Sequence, residues 1–214
     1  MADAVKGTRR YDSSRRREQA AATRQEILEA AQRLFEDRGY AATTIAAIAG
    51  EAGVATKTVY LAFETKGGVL RGVWNLLLRG DQHEVPVAQR RWYREVLEEP
   101  DPVRKLQLNA RNARRVKERI GSILRVIREG AAADAQVAEL WARIQSDFHE
   151  NQYAIVRALA DAGGLAEGLT PQAAADVLWT LNHPDVWHLL VDERGWSAAE
   201  WEGWFAETTV RLLL

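Results

Sequence analysis

The sequence predicts an all-α chain, on three observations. Apolar residues recur at helical spacing along nearly its whole length. No alternating run bounded by hairpin turns stands out, so no strand is expected. Capping residues and glycine or proline breaks divide the chain into helix-sized pieces. The organisation expected is a small helix-turn-helix unit followed by a larger helical bundle.

Each element has its own signals. Thr23-Arg24-Gln25-Glu26 reads as a capping box that opens a first helix, with Ile27, Ala31, Leu34 and Phe35 on one stripe. Gly39 ends it, because glycine takes the left-handed conformation at no steric cost. Thr44 caps a second helix in which Ile45, Ile48, Ala49 and Ala52 share a face, and Gly53 turns the chain above Val54. A third short helix begins near Ala55 or Thr56, with Thr56 available as its cap, and carries Val59, Tyr60 and Phe63. A fourth begins near Thr65 and runs through Val69, Leu70, Val73, Trp74 and Leu77 to about Gly80.

Longer helices follow. Residues 85–98 are expected to be helical as far as the Glu99-Pro100-Asp101-Pro102 break. Asp101 and Pro102 open a helix with Leu106, Ala110, Ala113, Ile120, Leu124 and Ile127 in its stripe. Asp134 opens another, striped by Val137, Leu140, Trp141, Ile144, Phe148, Ile155 and Leu159, and Gly163-Gly164 ends it. Thr170-Pro171 opens a helix that Pro184 must kink or divide, since proline lacks the backbone donor. Ser197-Ala198-Ala199-Glu200 is a second capping box, and Trp201, Trp204, Phe205 and Thr208 follow on one face.

Composition narrows the function. There are no cysteines, which removes disulfides, thiolate metal sites and cysteine nucleophiles. No apolar run approaches the ~20 residues that cross a bilayer, and the charged N-terminus has no apolar stretch of a secretory signal. A cytoplasmic location and no membrane partner are expected. No Ser/His/Asp arrangement, Gly-rich phosphate loop or metal-ligand spacing stands out, so no catalytic residue, metal or cofactor is expected. The net charge of −1 is uneven: residues 1–80 hold 13 Lys/Arg and 9 Asp/Glu, a balance of +4, and the remainder holds 16 and 21, a balance of −5. A basic module joined to an acidic body is a nucleic-acid binding pattern. The basic excess lies in Lys6, Arg9, Arg10, Arg15, Arg16, Arg17 and Arg24, and residues 1–19 read as a basic, flexible arm.

The stretch TTIAAIAGEAGVATKTVYLAF, Thr43 to Phe63, carries the functional signal. Two short helices joined at a glycine turn and braced by a third form a helix-turn-helix, whose second helix enters the major groove. That groove is about 12 Å wide and admits one helix. An ordinary αα-hairpin is the alternative on periodicity alone.

The same residues resemble the N-terminal domain of the TetR family of bacterial transcriptional regulators. Thr43, Thr44, Ile45, Ile48, Ala49, Ala52, Gly53, Val54, Thr58, Tyr60, Phe63 and Lys66 match the family pattern in register, and ILEAAQRLFEDRGY resembles its first helix. The likeness covers about residues 20–80. Ala55 stands where the family usually has Ser or Thr, Ala62 where many members have His or Tyr, and Gly50 lies inside the second helix. The resemblance implies double-stranded DNA as partner, a homodimer and an unidentified small-molecule effector. It places a DNA-binding domain at residues 20–67 and a ligand-binding and dimerisation domain at residues 68–214.

Physics and resemblance together give the expected sites. Thr44 sits at a helix N-terminus where a phosphate can dock. Tyr60 and Lys66 resemble family residues that bind the DNA backbone, and Thr58 contacts phosphate or stabilises its helix start. Thr56, Lys57 and Leu61 face the groove, with Lys57 suited to guanine O6 and N7 and Leu61 to a thymine methyl. Arg24 and Arg15–Arg17 are backbone or minor-groove candidates. Trp92, Trp141, Phe148 and His149 are expected around a ligand pocket, and Trp179, Trp201, Trp204 and Phe205 at a two-fold interface. The basic run RKLQLNARNARRVKER has two readings, a site that attracts an anionic ligand and a solvated face paired with acidic neighbours, and the solvated face is expected. The function expected is a repressor released from a palindromic operator by a small molecule. An architectural DNA-binding protein without a ligand and an all-α enzyme are the alternatives.

Overall fold

The computed structural model describes the backbone of residues 7–79 and 87–214, with side chains for residues 14–78 and 87–214. Every regular element among them is helical. Helix α1 spans Gly7–Ala42 and is interrupted at Gly39, whose φ of 75° and ψ of 176° lie outside helical space. The expected start at Thr23 is therefore corrected. Arg15 to Ala22 is dense in good helix formers, and no breaker separates it from Ile27, so the helix continues upstream. The segment from Gly7 to residue 19, expected as a flexible arm, is helical, with Arg15, Arg16 and Arg17 exposed along it. Residues 1–6, including Lys6, lie outside the described residues.

After Gly39 the chain is fastened by Thr43. This fully buried hydroxyl donates to the carbonyls of Gly39 at 2.8 Å and Leu34 at 3.1 Å. Helix α2 (Ile45–Glu51) is capped by Thr44, which accepts from the Ala47 amide at 3.1 Å. Helix α3 (Thr56–Phe63) follows the Gly53 turn, where φ is 66°. Its N-cap is Ala55, with no side-chain cap; Thr56 is already helical and does not take that role. Helix α4 spans Lys66–Arg79.

The rest forms a bundle. Gly80, the expected end of α4, and residues 85 and 86 of the expected helix 85–98 lie outside the described residues; the rest of that helix is divided into a 3₁₀ turn at Val87–Gln89 and helix α5 (Arg91–Glu98), because Arg90 between them is extended. Helix α6 (Pro102–Ala131) is capped by Asp101, and α7 (Ala135–Asp161) by Asp134. Helix α8 (Pro171–Leu181) is capped by Thr170. Pro184 then starts a separate helix α9 (Pro184–Trp187), which continues as a π-helical turn over His188–Glu193. Helix α10 (Ala198–Leu213) opens with the complete Ser197/Glu200 capping box.

Two apolar clusters hold these helices. One joins α1–α4 to the adjoining halves of α6 and α7, through Phe35, Ile48, Val59, Leu70, Ile123, Ile127, Val137 and Leu140. The other joins the opposite halves of α6 and α7 to α5, α8 and α10, through Tyr93, Leu106, Ile155, Leu178, Trp201 and Phe205. Helices α6 and α7 thus run through both clusters, and a displacement along them reaches both ends of the molecule.

Candidate nucleic-acid interface and interior cavity

Helix α3 has two unlike faces. Val59 is fully enclosed and Phe63 nearly so, which fixes the helix against α1, α2 and α4. Thr56, Lys57, Tyr60 and Leu61 are exposed, with Leu61 at 77% and Tyr60 at 50%. Thr58, expected to contact phosphate or to stabilise the helix start, is half-buried.

The seat of α3 is built from close backbone contacts. A Cβ on Gly68 would lie 2.1 Å from the Phe63 carbonyl oxygen, and one on Gly72 would lie 2.7 Å from Leu28 and 2.9 Å from the Phe63 ring. These two glycines let α4 lie directly against the end of α3. Arg24 braces the same end. Its Nη1 donates to the Ala62 carbonyl at 2.7 Å, and its guanidinium sits 4.0 Å over the Phe63 ring. Arg24 therefore holds α3 in place, which sequence reasoning did not foresee.

Lys66 is also engaged within the chain. Its Nζ donates to the Tyr40 carbonyl at 2.8 Å and lies 4.1 Å from the Tyr40 ring centre. Burial lowers its pKa, partly offset by the nearby Asp134 charge. The Tyr40 hydroxyl donates to Asp134 Oδ2 at 2.5 Å; burial foremost, then this bond, raises the tyrosine pKa, while the bond holds the carboxylate's pKa down. Thr65 Oγ1 donates to Gln136 Oε1 at 2.6 Å. The start of α4 is thereby clamped to the start of α7.

A cavity of about 430 Å³ lies between α4, α5, α6, α7 and the α8–α9 turn. Trp74 and Leu78 of α4, Trp92 of α5, Ile120 and Leu124 of α6, and Ile144 and Phe148 of α7 give it apolar walls. This volume and this lining suit a small organic molecule. Trp92 and Phe148 were expected there. Trp141 and His149 do not line it. Trp141 packs edge-on against His183 at 6.4 Å, and His149 turns to Asp176 at 2.8 Å.

The polar residues of the cavity were missed. Lys117 is enclosed, its ammonium donating to Asn182 Oδ1 and lying 4.7 Å from the Trp201 ring centre. Desolvation pulls its pKa down to about 7. Asn182 in turn donates from Nδ2 to Gln152 Oε1 at 3.3 Å. Lys117 belongs to the basic run expected as a solvated face, and here that reading fails. The signal was its spacing: Lys117 falls four residues after Ala113 and three before Ile120, inside the apolar stripe. Lys105, from the same run, is also buried and donates to the carbonyls of Val96 and Leu97 at the end of α5.

Two interface expectations are likewise corrected. Trp201 and Phe205 are fully enclosed by their own chain, stacked at 4.9 Å, with Trp187 edge-on to Trp201 at 5.0 Å. Helix α10 turns Trp201 and Phe205 toward α6 and α8, so neither has surface to offer a second copy. Trp179 and Trp204 keep part of their surface open.

Comparison with known proteins agrees with this architecture. Residues 27–73, from the middle of α1 into α4, match the family model "Bacterial regulatory proteins, tetR family". The chain is 29% identical over 197 residues to the HTH-type transcriptional regulator TtgR of Pseudomonas putida, covering 85% of this chain and 91% of the relative. It is 30% identical over 151 residues to the "Probable HTH-type transcriptional regulator ArpR" of Pseudomonas putida, covering 69% of each. Among solved structures, NalD of Pseudomonas aeruginosa, the secondary repressor of the MexAB-OprM multidrug efflux pump, shares the fold with a TM-score of 0.70, at 22% identity over 92% of this chain and 98% of NalD. SmeT in complex with triclosan gives 0.71, at 20% identity over 90% and 92%. With a helix-turn-helix in the same register and a helical body behind it, the chain belongs to the TetR family of bacterial transcriptional regulators.

Proposed function

We propose that the chain is a cytoplasmic, homodimeric repressor that binds a palindromic operator through paired α3 helices and is released by a small molecule in the cavity. The observation that carries this reading is the outward set Thr56, Lys57, Tyr60 and Leu61 over a locked inner face. Lys57 donates to guanine in the major groove, Leu61 meets a thymine methyl, and Thr44, Thr58 and Tyr60 bind backbone phosphates. Lys66 and Arg24 hold α3 in register and offer their remaining donors to phosphate. One α3 reads too few base pairs for an operator, which gives dimerisation its motive. The partly open Trp179 and Trp204, with exposed Leu212 on α10, support a two-fold contact along α8 and α10.

Release follows from the position of α4. It supplies Trp74 and Leu78 to the cavity wall, and at its other end it abuts α3 through Gly68. A ligand that favours a shifted α4 changes the spacing of the paired α3 helices. A coupling of about 1–3 kcal/mol lowers DNA affinity roughly 5- to 150-fold. Selection of bound DNA from random oligonucleotides tests the reading. A short palindrome with half-sites a helical turn or a multiple apart is expected, and Lys57→Ala should relax preference at one base position by about 1–3 kcal/mol. Broad coverage without a motif would favour an architectural role instead.

A further inference from the structure

The cavity contains hydrogen-bond donors that its own walls do not satisfy. Lys117 carries three N–H donors, and among the described residues its ammonium is bonded only to the neutral amide oxygen of Asn182. Its ammonium makes no ion pair with a carboxylate among the described residues, and burial is what lowers its pKa. Two more donors, Asn109 Nδ2 and Gln145 Nε2, are buried on the same lining without a partner. The unmatched polarity of the cavity is thus of one kind, set in apolar and aromatic walls. Asp147 and Glu150 also border the cavity, but both are exposed, where solvent and salt screen them.

We infer that the cavity takes mainly apolar compounds bearing one acidic group, a carboxylic acid or an acidic phenol, with the Lys117 ammonium as counter-ion. The inference rests on the reading of this cavity as the effector site and names the chemistry of its ligand. A neutral occupant leaves the ammonium desolvated and partly unbonded, which is costly in an apolar site. A cationic one adds repulsion. An anion supplies the missing acceptors and favours the charged lysine that burial otherwise disfavours. The aromatic walls accept the rest of the molecule.

Calorimetric titration of the full chain with biphenyl-4-carboxylate and with its neutral analogue biphenyl-4-carboxamide tests this. At neutral pH the acid should bind at least about tenfold more tightly, equivalent to about 1.4 kcal/mol. Lys117→Met, which keeps most of the side chain's length but not its charge, should abolish that preference while leaving amide binding in place. If Lys117→Met does not fold, the acid-to-amide ratio of the unaltered protein decides alone. Equal affinities, tighter amide binding, or an acid preference that survives Lys117→Met would overturn the inference while leaving the cavity as a ligand site. Failure of both compounds to bind would overturn the acid preference and count against the cavity as effector site as well.

Discussion

Lys57 on α3 and Lys117 on α6 are the same residue type put to opposite uses. Lys57 stands exposed on a helix whose other face is locked, in company with Tyr60 and Leu61. Lys117 is enclosed among Asn182, Trp201 and a mainly apolar cavity. In the head, a rigid scaffold presents side chains outward, so their loss should be felt by a partner and hardly by the fold. In the body, the informative side chains point inward, so stability itself reports on them. Under the proposed function, the contrast assigns surface recognition to one end and ligand binding to the other.

Substitutions can break that contrast. Phe205→Ala should cost the most, about 3–5 kcal/mol in denaturant unfolding, because an enclosed stacked ring is removed. A loss below about 1 kcal/mol would mean that Phe205 is not core. Lys117 should impose a pH dependence. Its pKa falls from 10.5 to about 7 on folding, so between those values the unfolded chain holds a proton that the folded chain lacks. Stability should therefore rise from pH 7 toward pH 9, with a slope approaching about 1.4 kcal/mol per pH unit. Lys117→Met should remove that slope, and a slope unchanged in the variant would assign it elsewhere.

Smaller effects sharpen the account of the head. Gly68→Ala should destabilise by about 1–3 kcal/mol and weaken DNA binding with it, because the new methyl meets the Phe63 carbonyl where α4 seats α3. Gly50→Ala should do the reverse, stabilising by up to about 1 kcal/mol. Gly50 is helical and exposed, and a Cβ there would meet nothing within 4 Å. Urea titrations of the pair check both signs; a Gly68→Ala protein as stable as its parent would remove the close seat of α3 from the account.

Local signals explain how much of this was legible in the sequence. Asp101, Asp134, Thr170 and Ser197 all cap the helices they announced, and Pro184 divides α8 from α9, because each effect acts within one turn of chain. The Thr23 capping box failed because the same four residues serve equally well inside a helix when strong helix formers precede them. The outward placing of Thr56, Lys57 and Leu61 on α3 was expected from helix spacing together with the family resemblance, and all three are exposed. The roles of Arg24 and Lys66 were not legible, since their partners Ala62, Phe63 and Tyr40 become neighbours only once α1, α3 and α4 pack. Aromatic residues misled most. Trp92 and Trp141 look alike in sequence, yet one lines the cavity and the other packs on His183, because the choice depends on how α5, α6 and α7 meet.

The central claim is that the exposed face of α3 reads DNA while contributing little to the fold. The most direct test replaces Thr56, Lys57, Tyr60 and Leu61 together by alanine and measures thermal unfolding beside affinity for a selected operator. The account predicts unfolding little changed, and operator affinity reduced to that for random DNA. Retention of full operator affinity by the stably folded variant would contradict it.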